Sequence, residues 1–233
     1  DDICRAYRLP CISGKDSMKN DATLDGEKIS VPPTILFSLV GNHSDVRKAV
    51  SSDFKKNGDS IYLLGETHQE LGASELAFML RDEGQGGIGG SVPAIDPSRN
   101  LAMYRALTGA MSKSLVSSAH DCSDGGLAVA LAECCFGADS GATVELDTIL
   151  RDSEALDKWG ALFGESLGRI LVSVKEESRE EFEIAMSGHA CHHLGTVTEG
   201  DEITFLNNGE EILITSMSEA RSSWKQALDG GGV

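Results

Sequence analysis

Basic residues are scarce in this chain. It has 20 Lys and Arg against 37 Asp and Glu, a formal charge of −17 over 233 residues. Nucleic acid and anionic membranes both attract basic patches, so neither is expected as a partner. An anionic ligand is still compatible, because a few cations and backbone amides can hold a phosphate locally. Aromatic residues make up only 5%, so the 40% hydrophobic content describes an aliphatic core. No apolar run approaches the roughly 18 residues that a bilayer-spanning helix needs. Asp1-Asp2-Ile3-Cys4-Arg5 has neither the basic n-region nor the apolar h-region of a signal peptide. An initiator Met is also missing, as expected of a processed or truncated chain. The six cysteines, at 4, 11, 122, 134, 135 and 191, lack the paired CxxC spacing of a structural zinc site. Reduced thiols and a cytoplasmic location are therefore the expectation. No short-period repeat is visible.

Chemistry concentrates first in Ser13-Gly14-Lys15-Asp16-Ser17-Met18-Lys19-Asn20, after the short apolar run Cys11-Ile12. A glycine, two lysines, an aspartate and hydroxyls in one loop can meet a phosphate and its metal. The stretch is not a Walker A motif, and a plain polar turn after a strand is the competing reading.

The length suggests one domain or two small ones. Residues 1–13 read as the end of a helix and a strand, and 14–31 as a polar loop. The apolar run at 35–40 reads as a strand opening the main domain. Further strands are expected at 60–65, 117–122, 142–146, 169–174 and 191–197. Asp96-Pro97-Ser98 starts a long helix with Leu101, Tyr104, Leu107 and Met111 along one face. Residues 127–135 form an amphipathic helix holding Cys134 and Cys135 as small hydrophobes, and 147–163, 176–186 and 217–228 are also helical. Asn207-Asn208-Gly209 marks a hairpin turn. The irregular alternation predicts α+β, a mixed sheet with packed helices, rather than a strict doubly wound fold.

Three more clusters carry candidate chemistry. His120-Asp121-Cys122-Ser123-Asp124-Gly125-Gly126 joins a strand to a helix start. It offers carboxylates, a histidine and glycines for close approach to a ligand, while helix capping by Ser123 or Asp124 is the favoured local reading. Phe163-Gly164-Glu165-Ser166-Leu167-Gly168-Arg169 displays Glu, Ser and Arg before a strand. A polar ligand or phosphate suits these groups; a strand-initiating turn with a surface ion pair competes. His189, Cys191, His192 and His193 suggest a metal, but adjacent strand residues face opposite ways, which disfavours one.

Taken together and in order, these segments resemble phosphoribosylformylglycinamidine synthase, the ATP-dependent amidotransferase of purine biosynthesis. The resemblance rests on Ser13-Gly14-Lys15-Asp16-Ser17-Met18, Val31-Pro32-Pro33-Thr34, Leu64-Gly65-Glu66-Thr67 with Glu70-Leu71-Gly72-Ala73-Ser74-Glu75, and His120 through Leu127. Phe163-Gly164-Glu165-Ser166 and the closing Ser222-Ser223-Trp224-Lys225-Gln226-Ala227-Leu228 extend it over nearly the whole chain. It implies a fold like the C-terminal domain of aminoimidazole ribonucleotide synthetase. Residues 1–31 would be the tail of the second ATP-binding half-module, and 33–229 the last synthetase domain.

The same resemblance implies ATP and Mg2+ as cofactors. Gly14, Ser17, Glu165 and Ser166 would contact nucleotide or substrate, and Asp16 and Asp121 would bind metal. Some family members carry Asn where Lys15 stands, which shifts metal binding here to Asp16. No catalytic residue is implied, since the catalytic histidine belongs to the missing first repeat. Partners would be that N-terminal repeat, a glutaminase subunit or domain, and formylglycinamide ribonucleotide, with a homodimer also compatible. The implied activity is that of an ATP-dependent carbon–nitrogen ligase, with this chain alone inactive. The alternative is a non-catalytic scaffold or dimerisation module holding an auxiliary nucleotide. A related selenophosphate or thiamine-phosphate enzyme fits the Gly14-Lys15-Asp16-Ser17 and Gly164-Glu165-Ser166 pair less well.

Overall fold

A computed structural model describes residues 1–15, 21–30, 34–82, 84 and 90–226. The chain divides into two compact units, Asp1–Ala49 and Val50–Val233.

The first unit begins with helix α1 (Asp2–Tyr7) and holds a two-stranded antiparallel ladder, β1 (Ala22–Leu24) with β2 (Glu27–Ile29). Asp25 (φ 51°) and Gly26 (φ 87°) join the strands. Positive φ at both central residues is what a two-residue hairpin turn requires, and Asp-Gly supplies it cheaply. This hairpin lies inside the stretch expected to be a loop. Asp45 caps a 3-10 turn, Val46–Lys48, accepting the Arg47 N–H at 3.2 Å. The strands expected near Cys11-Ile12 and over 35–40 do not form. Ile35 is 83% and Val40 98% exposed. A strand is completed by a neighbour's ladder, and no described strand pairs with either run.

The second unit runs β3 (Ser60–Leu64), α2 (Glu75–Asp82), α3 (Pro97–Ser112), β4 (Ser118–Asp121), α4 (Gly126–Ala138) and β5 (Gly141–Glu145). It continues with α5 (Asp147–Leu150), α6 (Lys158–Phe163), β6 (Ile170–Val174), α7 (Arg179–Ala185), β7 (Cys191–Thr198), β8 (Glu202–Asn207), β9 (Glu210–Ser216) and α8 (Met217–Gln226). Seven strands form one sheet in the order β4-β6-β3-β7-β5-β8-β9. The β5–β8 pair is parallel; the other neighbours are antiparallel. This is the expected α+β arrangement of a mixed sheet with packed helices.

All five residues of β3 are buried. Their alternation sends Ile61 and Leu63 into one core with Leu127, Leu131 and Cys135 of α4 and Leu162 of α6. Tyr62 and Leu64 enter a second core with Met103 and Leu107 of α3 and Phe182 of α7. Helices therefore cover both sheet faces around β3, and burial of aliphatic surface on the two sides is the main stabilising term.

Local sequence explains the helix starts. The Asp96 carboxylate accepts the N–H groups of Ser98 and Arg99 at 3.0 and 3.1 Å, with Pro97 in the first turn of α3. Its buried line is Met103, Leu107 and Ala110; Leu101, Tyr104 and Met111, expected to face the core, flank that line half-buried. The helix expected over 147–163 is split, and Asp157 caps the second piece through Trp159 and Gly160 N–H at 2.9 and 2.8 Å. Asn208 (φ 51°) and Gly209 (φ 77°) turn the predicted β8–β9 hairpin.

Candidate functional site

Two glycine-rich turns meet at one end of the sheet. The first leaves β4 at Asp121 and enters α4; the second leaves α6 at Gly164 and enters β6. Antiparallel pairing of β4 with β6 sets Asp121 opposite Ile170, which brings the turns side by side. Glycine is required where they touch. A Cβ on Gly126 (φ +67°) would lie 2.5 Å from the Gly164 carbonyl oxygen.

Between the turns opens a cleft of about 420 Å³, with Asp121, Ser123, Asp124, Glu165, Arg169 and Tyr104 among its lining residues. The Glu165 carboxylate ties it together. One oxygen, Oε1, accepts the N–H of Gly125 at 2.9 Å and the N–H of Glu75 at 2.9 Å. Glu165 thus joins the starts of α4 and α2, where a carboxylate is also favoured by the helix dipoles. Capping of α4 by Ser123 or Asp124, the favoured local reading, is overturned: the N-cap is Gly125 and no side chain caps it locally. The Ser123 hydroxyl instead donates to Asp121 Oδ2. That bond holds the Asp121 carboxyl below the usual carboxylate range. Asp121 itself remains 74% exposed.

Arg169 is 1% exposed. It donates to the carbonyls of Ser166 (3.2 Å) and Gly164 and to the Thr67 hydroxyl (3.3 Å). Among the described residues, the surface ion pair weighed for this turn does not form. Burial pulls the guanidinium pKa down, partly offset by the charges of Glu70 and Glu165. Glu70, 6% exposed, accepts the Ala94 N–H at 2.9 Å through Oε1, and its Oε2 is buried without a hydrogen-bond partner among the described residues. Ser166 is also 1% exposed; its hydroxyl accepts the His68 N–H at 3.0 Å. Cys122 lines the cleft with its thiol pushed up to about 11 by burial. His120 sits behind, with Nε2 3.2 Å from Glu133.

Of the residues expected to bind ligand or metal, Asp121 and Glu165 are brought together, and Ser166 is built into the wall behind them. Gly14 is exposed in the first unit. Asp16 and Ser17 lie outside the described residues. Tyr104, expected on the core face of α3, lines the cleft instead, and the buried Glu70 near Arg169 was not anticipated. The signal for Glu70 was a buried strand followed by a polar stretch and Gly72, whose Cβ would lie 2.6 Å from the Gly90 carbonyl. His192 and His193 face opposite ways, His192 toward Asp152 (3.5 Å) and His193 edge-on to Tyr62 (5.0 Å between ring centroids).

The cleft offers exposed carboxylates on one wall and a buried cation on the other. A bare phosphate would meet Asp121 and Asp124 unfavourably, whereas a cation-bridged phosphate or ligand hydroxyls would suit them. Among the described residues no three His, Cys, Asp or Glu side chains gather as a cation site. Asp121, exposed at the cleft, is the side chain that could hold a cation there.

Residues 56–206 match the family described as AIR synthase related protein, C-terminal domain. The chain belongs to this family. Its fold is shared by PurL of Thermotoga maritima complexed with FGAR, at 20% identity and a TM-score of 0.65, over 75% of this chain and 29% of that one. Phosphoribosylformylglycinamidine synthase II from the same organism gives 19% identity and a TM-score of 0.62, over 75% and 28%. Hydrogenase maturation protein HypE gives 17% identity and 0.50, over 72% and 55%. The chain thus spans less than a third of the PurL structures it matches, and at these identities the likeness is one of fold.

Proposed function

We propose that this chain is the C-terminal portion of a phosphoribosylformylglycinamidine synthase. The parent enzyme would convert formylglycinamide ribonucleotide to the amidine with ATP and glutamine-derived ammonia. The observation that carries this reading is the cleft of Asp121, Asp124, Glu165 and Arg169 between two glycine turns, on a fold shared with PurL structures complexed with FGAR and with ATP. Residues 1–31 would be the tail of the second nucleotide-binding half-module and 33–229 the last synthetase domain. Gly14, Ser17, Glu165 and Ser166 would contact nucleotide or substrate, and Asp16 and Asp121 would bind metal.

In this reading a bound magnesium ion would supply charge neutralisation at the phosphate. Asp121 would hold the ion's protein side, kept ionised by the Ser123 hydroxyl. Glu165 and Arg169 would act by fixing the turns. The N-terminal repeat and a glutaminase, as subunit or fused domain, would be partners in the cytoplasm, and a homodimer is compatible.

The test is reconstitution. The purified chain alone is expected to show no ATP-dependent amidination of formylglycinamide ribonucleotide with ammonia. Mixing it with the N-terminal repeat should restore turnover, and chelation of magnesium should abolish it. Turnover by the chain alone, or none after mixing, would refute the proposal.

The internal consumption of Glu165, Ser166 and Arg169 by backbone partners favours a second reading: a scaffold module pairing with the other repeat around an auxiliary nucleotide. In that case Asp121→Asn leaves turnover of the mixed enzyme unchanged; under the first reading it lowers it.

A further inference from the structure

Two cysteines outside the cleft form a pair that none of this chemistry uses. Helix α1 ends at Arg8, which takes the left-handed conformation at φ 56°, ψ 41°. The Leu9 N–H returns to the Cys4 carbonyl at 2.9 Å and the Arg8 N–H to the Arg5 carbonyl at 3.2 Å. These are the two bonds of a Schellman helix end, which reverses the chain, and Pro10 follows where a helix cannot continue. The reversal carries Cys11 back over the first turn of the helix. Its sulfur lies 3.8 Å from that of Cys4. Cys11 is exposed and Cys4 half-exposed.

The other thiols differ in burial rather than in the direction of their pKa, since the hydrogen bond with Cys4 raises Cys11 as well. Cys122, Cys134 and Cys135 are buried, and burial raises all three above the ordinary thiol range, Cys135 to about 12. Cys191, half-buried, is likewise raised to about 12. A protonated buried thiol does not attack a disulfide. Only Cys4 and Cys11, among the described cysteines, combine solvent access with a second sulfur in reach.

We propose that Cys4 and Cys11 are a modification site, a dithiol oxidised to an intramolecular disulfide by a low-molecular-weight disulfide such as oxidised glutathione. One protein thiolate attacks a sulfur of the small disulfide, whose S–S bond breaks and releases one glutathione thiol. The second protein thiolate attacks the mixed disulfide at the protein sulfur and expels the second glutathione thiol. Two protein thiols are oxidised, one small disulfide is reduced, and both protons leave on the two glutathione molecules. The helix end already supplies the backbone reversal, so closure to a bond of about 2.05 Å asks mainly for side-chain rotation. The bond would staple the reversal three residues before Gly14.

The test equilibrates the full chain in glutathione buffers of rising oxidised fraction, quenches with an alkylating agent, and maps tryptic peptides by mass. Cleavage after Arg5, Arg8 and Lys15 separates residues 1–5 from 9–15 unless a disulfide joins them. The expected result is a joined 1–5/9–15 peptide that grows with oxidised glutathione and disappears under excess reduced glutathione. Cys11→Ser should convert it to a stable glutathione adduct on Cys4. Separate adducts on Cys4 and Cys11 of the unmodified chain, free thiols at both, or a crosslink between two chains would each overturn the proposal.

Discussion

Glu165 shows how one side chain can set a site. Its Oε1 is the acceptor for two backbone N–H groups from distant segments, Gly125 and Glu75. Removing it leaves both donors without that partner at helix starts. Glu165→Ala is expected to cost about 1–3 kcal/mol in urea denaturation, and Glu165→Gln, which keeps an acceptor, clearly less. Equal losses for the two variants would refute the assigned role. The cluster around Asp121 and the turn around Glu165 were each visible in the sequence as concentrations of glycine and acid. Their connection was not. Ser123 stands where a local cap would stand, and the sequence offers no sign that a carboxylate 40 residues later takes the Gly125 N–H instead. Arg169 was likewise visible as a cation before a strand, but its burial depends on Thr67, 102 residues earlier.

At the scale of elements, α7 docks on the sheet through a polar seam. Tyr62 of β3 donates to Glu183 at 2.6 Å and accepts from Arg179 at 3.2 Å. His193 of β7 packs edge-on to the same ring, and its Nε2 is buried without a hydrogen-bond partner among the described residues. Glu176, Glu183 and Arg179 are the charges that face it. Burial first, and then the Arg179 charge, depress the His193 pKa below its ordinary 6.5. The unfolded chain therefore binds the proton more readily than the folded one between the folded pKa and 6.5. The stabilising contribution is present above pH 6.5 and is lost as pH falls through the folded value. The expected slope is at most about 1.4 kcal/mol per pH unit, reduced by partial exposure. Urea titrations of the chain and of His193→Phe across that window should show the histidine's share of the slope vanish in the variant. Elements whose pattern is local were legible: β3 as an apolar run, α3 from Asp96-Pro97, the β8–β9 turn from Asn208-Gly209. The run at 35–40 has the same apolar character as β3, yet β3 has ladders on both sides and this run has none among the described strands. Pairing is non-local and leaves no mark in the run itself.

At the scale of the molecule, both hydrophobic cores are built from residues of the second unit. A chain starting at Val50 should therefore keep a cooperative urea transition by far-UV circular dichroism. Loss of that transition would show that the first unit is needed for folding. Within the second unit, the order of strands has a consequence for synthesis. Strand β3 comes first, but its two neighbours, β6 and β7, end at Val174 and Thr198. While a ribosome is still making the intervening chain, Ile61, Tyr62, Leu63 and Leu64 have no sheet to enter. This is the condition in which non-local pairing folds slowly and an emerging apolar strand attracts other chains. The nascent polypeptide thus depends on protection over that interval, and a messenger truncated before the codon for Thr198 would yield an aggregating product rather than a smaller folded one.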